Sequence, residues 1–355
     1  MTTVAAAIAV LAGASAALDS MRLEGDARRP ALRERAIVPA ARGLALITEP
    51  QDGTAPVLSL IDGARRSVEM TMYELTDPRV EAALAAAATR GVRVRVLLDR
   101  RGWAGTENRA ASSYLRAKRV PVRWAPVRFA LTHQKSIEVD RRAALIMTFN
   151  LTPRYYAVDR DFAVLDRRRR DVAAIEATFA ADWQDRGSPT ATRAGATRPP
   201  SAATAARPAG DELVWSPRAT SSLLGLIASA RRSIQVESEE MDDPAVSDAL
   251  CAAAARHVAV QVTMTYDASY RGALERLVHC GVEVHTYAPD AALYIHAKAI
   301  VVDGRLAFAG SQNLSTESLC CNRELGIVFS AAPLVRALQA TLAADFAGAR
   351  SMAPR

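Results

Sequence analysis

Apolar and polar positions alternate along much of this chain with the two-residue rhythm of a half-buried strand. "GVRVRVLL" (residues 91–98) and "HVAVQVTM" (residues 257–264) place Val at every second position, as a strand with one face on a core requires. The apolar runs "LALIT" (44–48) and "AIVV" (299–302) read as more deeply buried strands. "DG" at Asp303-Gly304 is a strong turn signal that joins "AIVV" to "RLAFA" as a hairpin. Between strands the pattern turns helical, from near Pro56 to Ala64 and again after Asp77-Pro78 and Asp243-Pro244, where Asp precedes a Pro suited to a first helical turn. Strands alternating with helices predict an α/β fold with a mixed sheet and helices on its faces.

The pattern occurs twice. "GARRSVEMTMYELTDPRVEAAL" (Gly63 to Leu84) lines up without gaps on "SARRSIQVESEEMDDPAVSDAL" (Ser229 to Leu250). Each reads as a helix end, a strand, a short acidic loop and a new helix start. Further on, "YIHAKAIVVDGRLAFAGSQNLS" supplies His296, Lys298, Asp303, Ser311 and Asn313. "LTHQKSIEVDRRAALIMTFNLT" supplies His133, Lys135, Asp140, Thr148 and Asn150 at the same spacing. One more acid follows at matching offsets, Asp161 in one copy and Glu324 in the other. Polar residues do not recur at fixed offsets by accident, so a duplicated unit is expected.

The duplication sets the expected domains. Residues 1–43 are a leader and an Arg-rich approach with no fold of their own, and 44–186 form the first α/β domain. Residues 187–210, rich in Pro, Ala, Thr and Ser, form a flexible connector, and 211–355 form the second domain. The two domains are expected to be related by a pseudo-twofold axis. The length of 355 residues, half of them hydrophobic, allows two cores of this size.

The net charge of +7 favours an anionic partner such as a lipid surface, a nucleic acid or a phosphorylated substrate. The first residues carry no charge before Asp19, and Ala14-Ser15-Ala16 suits a signal-peptide cleavage site. Export, or a location peripheral to a membrane, is therefore the expectation. The stretch is too rich in Ala and Gly to read as a membrane span.

Cys251, Cys280, Cys320 and Cys321 fit no zinc spacing and read as small buried thiols. A Cys251–Cys280 disulfide is the alternative in an exported protein. The adjacent Cys320-Cys321 pair suits neither a ligand set nor an easy disulfide.

A Lys two positions from a His on a strand shares its face, which is an odd core and a plausible anion site. Breaking a phosphodiester needs a nucleophile, a proton donor for the leaving alkoxide, and cations for the phosphoryl oxygens. Two copies of the motif supply a pair of each. One His attacks phosphorus while the other, protonated, donates to the leaving oxygen. Lys135, Lys298, Asn150 and Asn313 would hold the non-bridging oxygens, with Thr148 and Ser311 as added hydroxyl donors. No metal and no cofactor is called for, and nothing indicates an obligate protein partner.

Two H-x-K-x4-D motifs, each followed by a hydroxyl residue and Asn, resemble the phospholipase D superfamily with its duplicated signature. The likeness covers residues from about Leu44 to Phe329. It implies that His133 forms a covalent phosphohistidine and that His296 is general acid, then base. It also implies that Asp140 and Asp303 are structural, and that Asp161 and Glu324 orient the imidazoles, each on the His of the other half. Met147 departs from the usual Gly and is expected to narrow the pocket or alter the turn. Glu138 is a second departure, a charge where the other copy has an apolar residue.

Within the superfamily, hydrolysis of phospholipids at an anionic membrane surface is the expected activity. Transfer of the cardiolipin synthase type and metal-independent cleavage of DNA or RNA are the alternatives. Few aromatics, 5%, disfavour a base-stacking groove. His257, His279 and His285 read as structural. "DRRRRD" (166–171) reads as a solvated approach to a helix, with a phosphate-facing patch as the other reading. Tyr155 and Tyr156 either line the site mouth or pack on the helix from Asp171, and Glu239 and Glu240 fall at a strand end near the site.

Overall fold

The computed structural model describes residues 43–185 and 211–353. The expected leader and connector lie outside the described residues. The first half contains β1 (Leu44–Glu49), α1 (Ala55–Asp62), β2 (Ser67–Met72), α2 (Pro78–Thr89), β3 (Arg93–Leu98), α3 (Gly102–Ala117), β4 (Val122–Trp124), β5 (Ser136–Val139), β6 (Ala143–Met147), β7 (Asp159–Asp166) and α4 (Arg169–Gln184). The second half repeats the order. It contains β8 (Glu212–Ser216), α5 (Ala219–Ala228), β9 (Ser233–Ser238), α6 (Pro244–Ala255), β10 (Ala259–Thr265), α7 (Arg271–His279) and β11 (Glu283–Tyr287). After them come β12 (Tyr294–Ile295), β13 (Lys298–Val302), β14 (Leu306–Gly310), α8 (Thr316–Cys320), β15 (Glu324–Phe329), α9 (Ala332–Gly348) and β16 (Arg350–Ser351).

Each half builds one mixed sheet. The first runs β1-β7-β6-β5-β2-β3-β4, and the second runs β8-β15-β14-β13-β9-β10-β11-β16. The expected duplicated α/β fold is therefore present, with β12 and β16 added in the second half. Helix starts follow the sequence signals: Asp77 accepts from the Arg79 N–H, and Asp243 accepts from Ala245 and Val246. The hairpin turns are tight, with Asp140 and Arg141 both at φ 58° and Asp303 and Gly304 at φ 54° and 65°. Asp tolerates this left-handed region better than most residues.

Three apolar clusters hold the layers together. One lies between the first sheet and α1, α2 and α3, and its counterpart lies under α5, α6 and α7. The third is shared. Leu46, Ile146 and Val164 of the first sheet meet Ala299, Val301 and Leu325 of the second, with α4 and α9 contributing Ile175 and Leu338. Burying both sheets in one cluster fixes the halves against each other.

The cysteines correct the sequence expectation. Cys251–Cys280 forms a disulfide with Cα atoms 5.4 Å apart, joining α6 to α7, and Cys320–Cys321 forms one between neighbours. None of the four is a free thiol, and each is only partly buried. Among the described residues no helix is long and apolar enough to cross a membrane.

Candidate active site

The two motifs meet because each half lends a segment to the other. Tyr294 and Ile295, just before His296, pair in parallel with Asp159 and Arg160 of β7. Thr132, just before His133, makes the matching bridge to Arg323. Gln134 N–H donates to the Arg323 carbonyl, as His296 N–H does to that of Arg160. The exchange carries each imidazole to the other half's acid. His133 Nδ1 lies 3.0 Å from Glu324 Oε2, and His296 Nδ1 lies 2.9 Å from both oxygens of Asp161. With Nδ1 engaged, each ring presents Nε2 to the space between the halves.

The rings differ in charge preference. For His133, burial and the Lys135 cation outweigh Glu324 and hold the imidazole below its ordinary value. For His296, burial acts the same way, but Asp161 and then Glu239 outweigh it and raise the value. The surroundings thus favour the neutral form of His133 and the protonated form of His296. Buried Lys135 is pushed down to about 7 by desolvation and by Lys298. Its ammonium donates to the His133 carbonyl and lies 5.0 Å from the centre of the Tyr73 ring.

Lys298 donates to Glu239 Oε2 at 2.7 Å, and Asn313 Nδ2 donates to the same oxygen at 3.3 Å. His296 Nε2 is 3.5 Å from it. One Glu239 oxygen therefore stands among Lys298, Asn313 and His296. Burial would raise the Glu239 carboxyl, but His296, Lys298 and His133 together hold it well below the usual range. One carboxylate feeling both histidines means the two motifs surround one space. Asn150 is buried, with no hydrogen-bond partner for Oδ1 among the described residues.

The motif aspartates, expected to be structural, make structural contacts. Asp140 and Asp303 lie at the far ends of their strands and accept backbone N–H groups, from Arg65, Arg66 and Ser67 at 2.9, 2.6 and 2.9 Å, and from Arg231, Arg232 and Ser233 at 3.0, 2.7 and 2.9 Å. Burial alone would raise both carboxyls, and these donors lower them. Thr148 and Ser311, expected to face phosphate, bond within their own halves. The Thr148 hydroxyl donates to Asp161 and accepts from Phe162 N–H, and Ser311 accepts from Leu325 N–H. They brace the strands that carry the acids.

Met147 neither narrows the pocket nor alters the turn. It is fully buried in the first core, where the second copy has Gly310 packed against Gly326. Glu138 is buried in the sheet, and desolvation pushes it up to about 7. Tyr155 stacks under Arg154, whose guanidinium also pairs with Glu74 near the site, while Tyr156 lies by Arg79 at the start of α2 and not on α4. His285 stacks on Phe346, 3.7 Å between ring centres, as a structural residue does.

Sequence reasoning left Glu239 without a role and missed Tyr73, whose ring meets His133 edge-on at 4.6 Å. The two occupy equivalent positions of the repeat, and that equivalence was the available signal. It also missed Ser318 and Asn322, which donate to Glu324 Oε1. For a cation, Asp159, Asp161 and His296 are the group among the described residues whose ligand atoms converge within 4.8 Å.

The family model described as "Cardiolipin synthase, PLD-like domain" matches residues 57–183 and 223–346. The chain is 26% identical over 326 residues to cardiolipin synthase A of Cronobacter sakazakii and 27% identical over 329 residues to that of Edwardsiella ictaluri. Each alignment covers 80% of this chain and 65% of the relative, so the chain spans about two thirds of the curated relatives it matches. Among solved structures, phosphatidylserine synthase of Haemophilus influenzae superposes with a TM-score of 0.66 at 12% identity, over 88% of both chains. Polyphosphate kinase of Porphyromonas gingivalis reaches 0.64 at 15% identity, over 90% of this chain and 50% of its own. These two likenesses speak for the fold. With one family model matched in each half around the paired motifs, the chain belongs to the phospholipase D superfamily, in the family of cardiolipin synthase PLD-like domains.

Proposed function

We propose that the protein is a phosphatidyltransferase that moves a phosphatidyl group from one phospholipid alcohol to another through a phosphohistidine, with water as the competing acceptor. The observation that carries this reading is the crossed pair of His–carboxylate contacts, His133 with Glu324 and His296 with Asp161. His133 Nε2 attacks phosphorus, the bond to the leaving alkoxide breaks, and that oxygen takes the proton from His296. An acceptor hydroxyl then gives its proton back to His296 while its oxygen attacks phosphorus and releases His133. Lys135, Lys298, Asn150 and Asn313 hold the non-bridging oxygens throughout. Asp161 and Glu324 fix the tautomers, as the third member of a hydrolase triad does.

Hydrolysis was the expectation from the sequence, with transfer of the cardiolipin synthase type as an alternative. The relatives tilt the reading to transfer, since those named are cardiolipin synthases. The test uses fluorescent phosphatidylglycerol in mixed vesicles with added glycerol or ethanol. A new phosphatidyl ester is expected, with His133→Ala and His296→Ala each reducing turnover at least about a thousandfold. Phosphatidic acid alone would return the reading to hydrolysis. Efficient cleavage of single-stranded DNA with intact lipid would overturn both.

A further inference from the structure

The two halves are copies, so each is a control for what the other has added. At the end of the first sheet farthest from the histidines, six exposed arginines line one cleft of about 720 Å³: Arg66, Arg93, Arg141, Arg142, Arg167 and Arg169. Four of the equivalent positions in the second half hold Ala259, Gly304, Ser330 and Ala332, opposite Arg93, Arg141, Arg167 and Arg169. The cleft's one acid is Asp140, already committed to backbone N–H groups. Arg141 pairs with Glu176 and Arg93 lies near Glu69. Arg66, Arg142, Arg167 and Arg169 have no ion pair among the described residues. So much like charge in one cleft repels itself unless an anion sits there.

A second cavity, of about 650 Å³, adjoins it and shares Asp140, Arg142 and Arg167. Its floor is apolar, formed by Ile47, Leu60, Leu145 and Leu165, and Asp52 is the one acid it adds to Asp140. The duplicate again shows what changed: opposite Ala143 and Leu145 the second half has Leu306 and the fully buried Phe308. Smaller side chains opened the floor where arginines gathered at the rim. The volume lies in the ~300–1,000 Å³ range of small-molecule sites.

We infer that this joint cleft binds an anionic phospholipid of the membrane surface, with the headgroup phosphate among the arginines and an acyl chain over Leu145 and Leu165. Charge complementarity selects an anion, and the adjoining apolar floor selects an amphiphile over a soluble phosphate. The strand from His133 to Asp140 separates the cleft from the histidines by on the order of 20 Å. The bound lipid therefore anchors the enzyme and is not its substrate. The sequence "DRRRRD" thus divides: Arg168 is tied to Asp166, Asp171 and Asp211, and Arg167 and Arg169 face the cleft.

The test exchanges the halves' own residues in the full chain. Arg167→Ser with Arg169→Ala is expected to weaken binding to phosphatidylcholine vesicles containing phosphatidylglycerol about tenfold or more, at roughly fivefold per arginine near a charged surface. Ala143→Leu with Leu145→Phe should abolish labelling of the peptides around Leu60 and Leu165 by phosphatidylglycerol with a photoreactive acyl chain. Both variants should turn over a soluble phosphodiester at the parent rate, which separates this inference from the proposed chemistry. Unchanged vesicle binding, or labelling confined elsewhere, overturns it. Competition by inorganic phosphate or glycerol phosphate as strong as that by vesicles would make it a free-anion site, and loss of single-stranded DNA binding with vesicle binding intact would make it a nucleic-acid surface. Either result overturns the lipid assignment.

Discussion

The side chain that most changes the chemistry of the site is Glu239, because its carboxylate stands among the groups proposed to hold phosphate. Its charge is one of the two that raise His296. The raised imidazole is protonated, and so able to donate, up to a pH above its ordinary value; removing a carboxylate lowers that limit. His133, held low, is neutral and able to attack down to a pH below the ordinary value. The expected kcat/KM profile is a broad bell between these limits. Glu239→Gln should shift the alkaline limb to lower pH and, because Glu239 also feels His133, move the acid limb the same way by less. Removing a negative charge from among the groups proposed to hold phosphate should also lower KM for an anionic diester several-fold. Profiles measured on a soluble phosphodiester check this, and an unmoved alkaline limb would mean that Asp161 alone sets His296. At this scale His, Lys, Asn and the two distant acids were legible in the sequence, because the repeat matched each with a partner. Glu239 and the hydroxyl partners of Thr148 and Ser311 were not, since which way a side chain faces at a strand end depends on neighbours distant in sequence.

At the scale of elements, strands, hairpins and helix starts were legible because each is set by residues within a few positions. The lending of segments was not. Thr132 pairs with Arg323 and Ile295 with Arg160 only once both halves have folded, and no local pattern announces it. The hairpin aspartates, expected to be structural, tie elements together: Asp303 belongs to the motif spacing, and its carboxylate joins the β13–β14 turn to the start of β9. Hydrogen bonds to a charged group contribute about 1.5–3 kcal/mol each, less where partly exposed, and Ala is strained at φ 54°. Asp303→Ala is thus expected to lower unfolding free energy by about 2–4 kcal/mol in urea melts. The activity of the folded fraction should change little. Thousandfold loss of turnover with unchanged stability would instead make Asp303 part of the reaction.

For the whole molecule, the junction between the halves is the feature with the largest consequence, because it buries charge. Arg160 of β7 pairs with Asp345 of α9 at 2.5 Å, and Glu49 of β1 and Glu237 of β9 lie beside them, at 1% and 0% exposure. Glu49 meets the backbone N–H of Gly53, and Glu237 meets the Asp345 carboxyl. Desolvation, followed by Asp161 and Asp52, pushes Glu49 up to about 8, and desolvation with Asp345 raises Glu237 well above the ordinary range. An acid whose folded value exceeds its unfolded one holds a proton that the unfolded chain has released. The stability it contributes is complete below the unfolded value and is lost as pH rises toward the folded value. For Glu49 that window runs from its ordinary 4.5 to about 8. His133, held low, acts in the opposite direction below the ordinary imidazole range, and Lys135, held at about 7, does so above it, so a single acid is isolated only by comparison with a variant that lacks it. The urea midpoint of the full chain, taken relative to that of Glu49→Gln at each pH, is therefore expected to drop between pH 4.5 and about 8. Glu49→Gln is neutral throughout and keeps the shares of His133, His296 and Lys135, which cancel in the difference. A difference that stays level across that range would mean that the Glu49 carboxyl is already ionised in the folded protein.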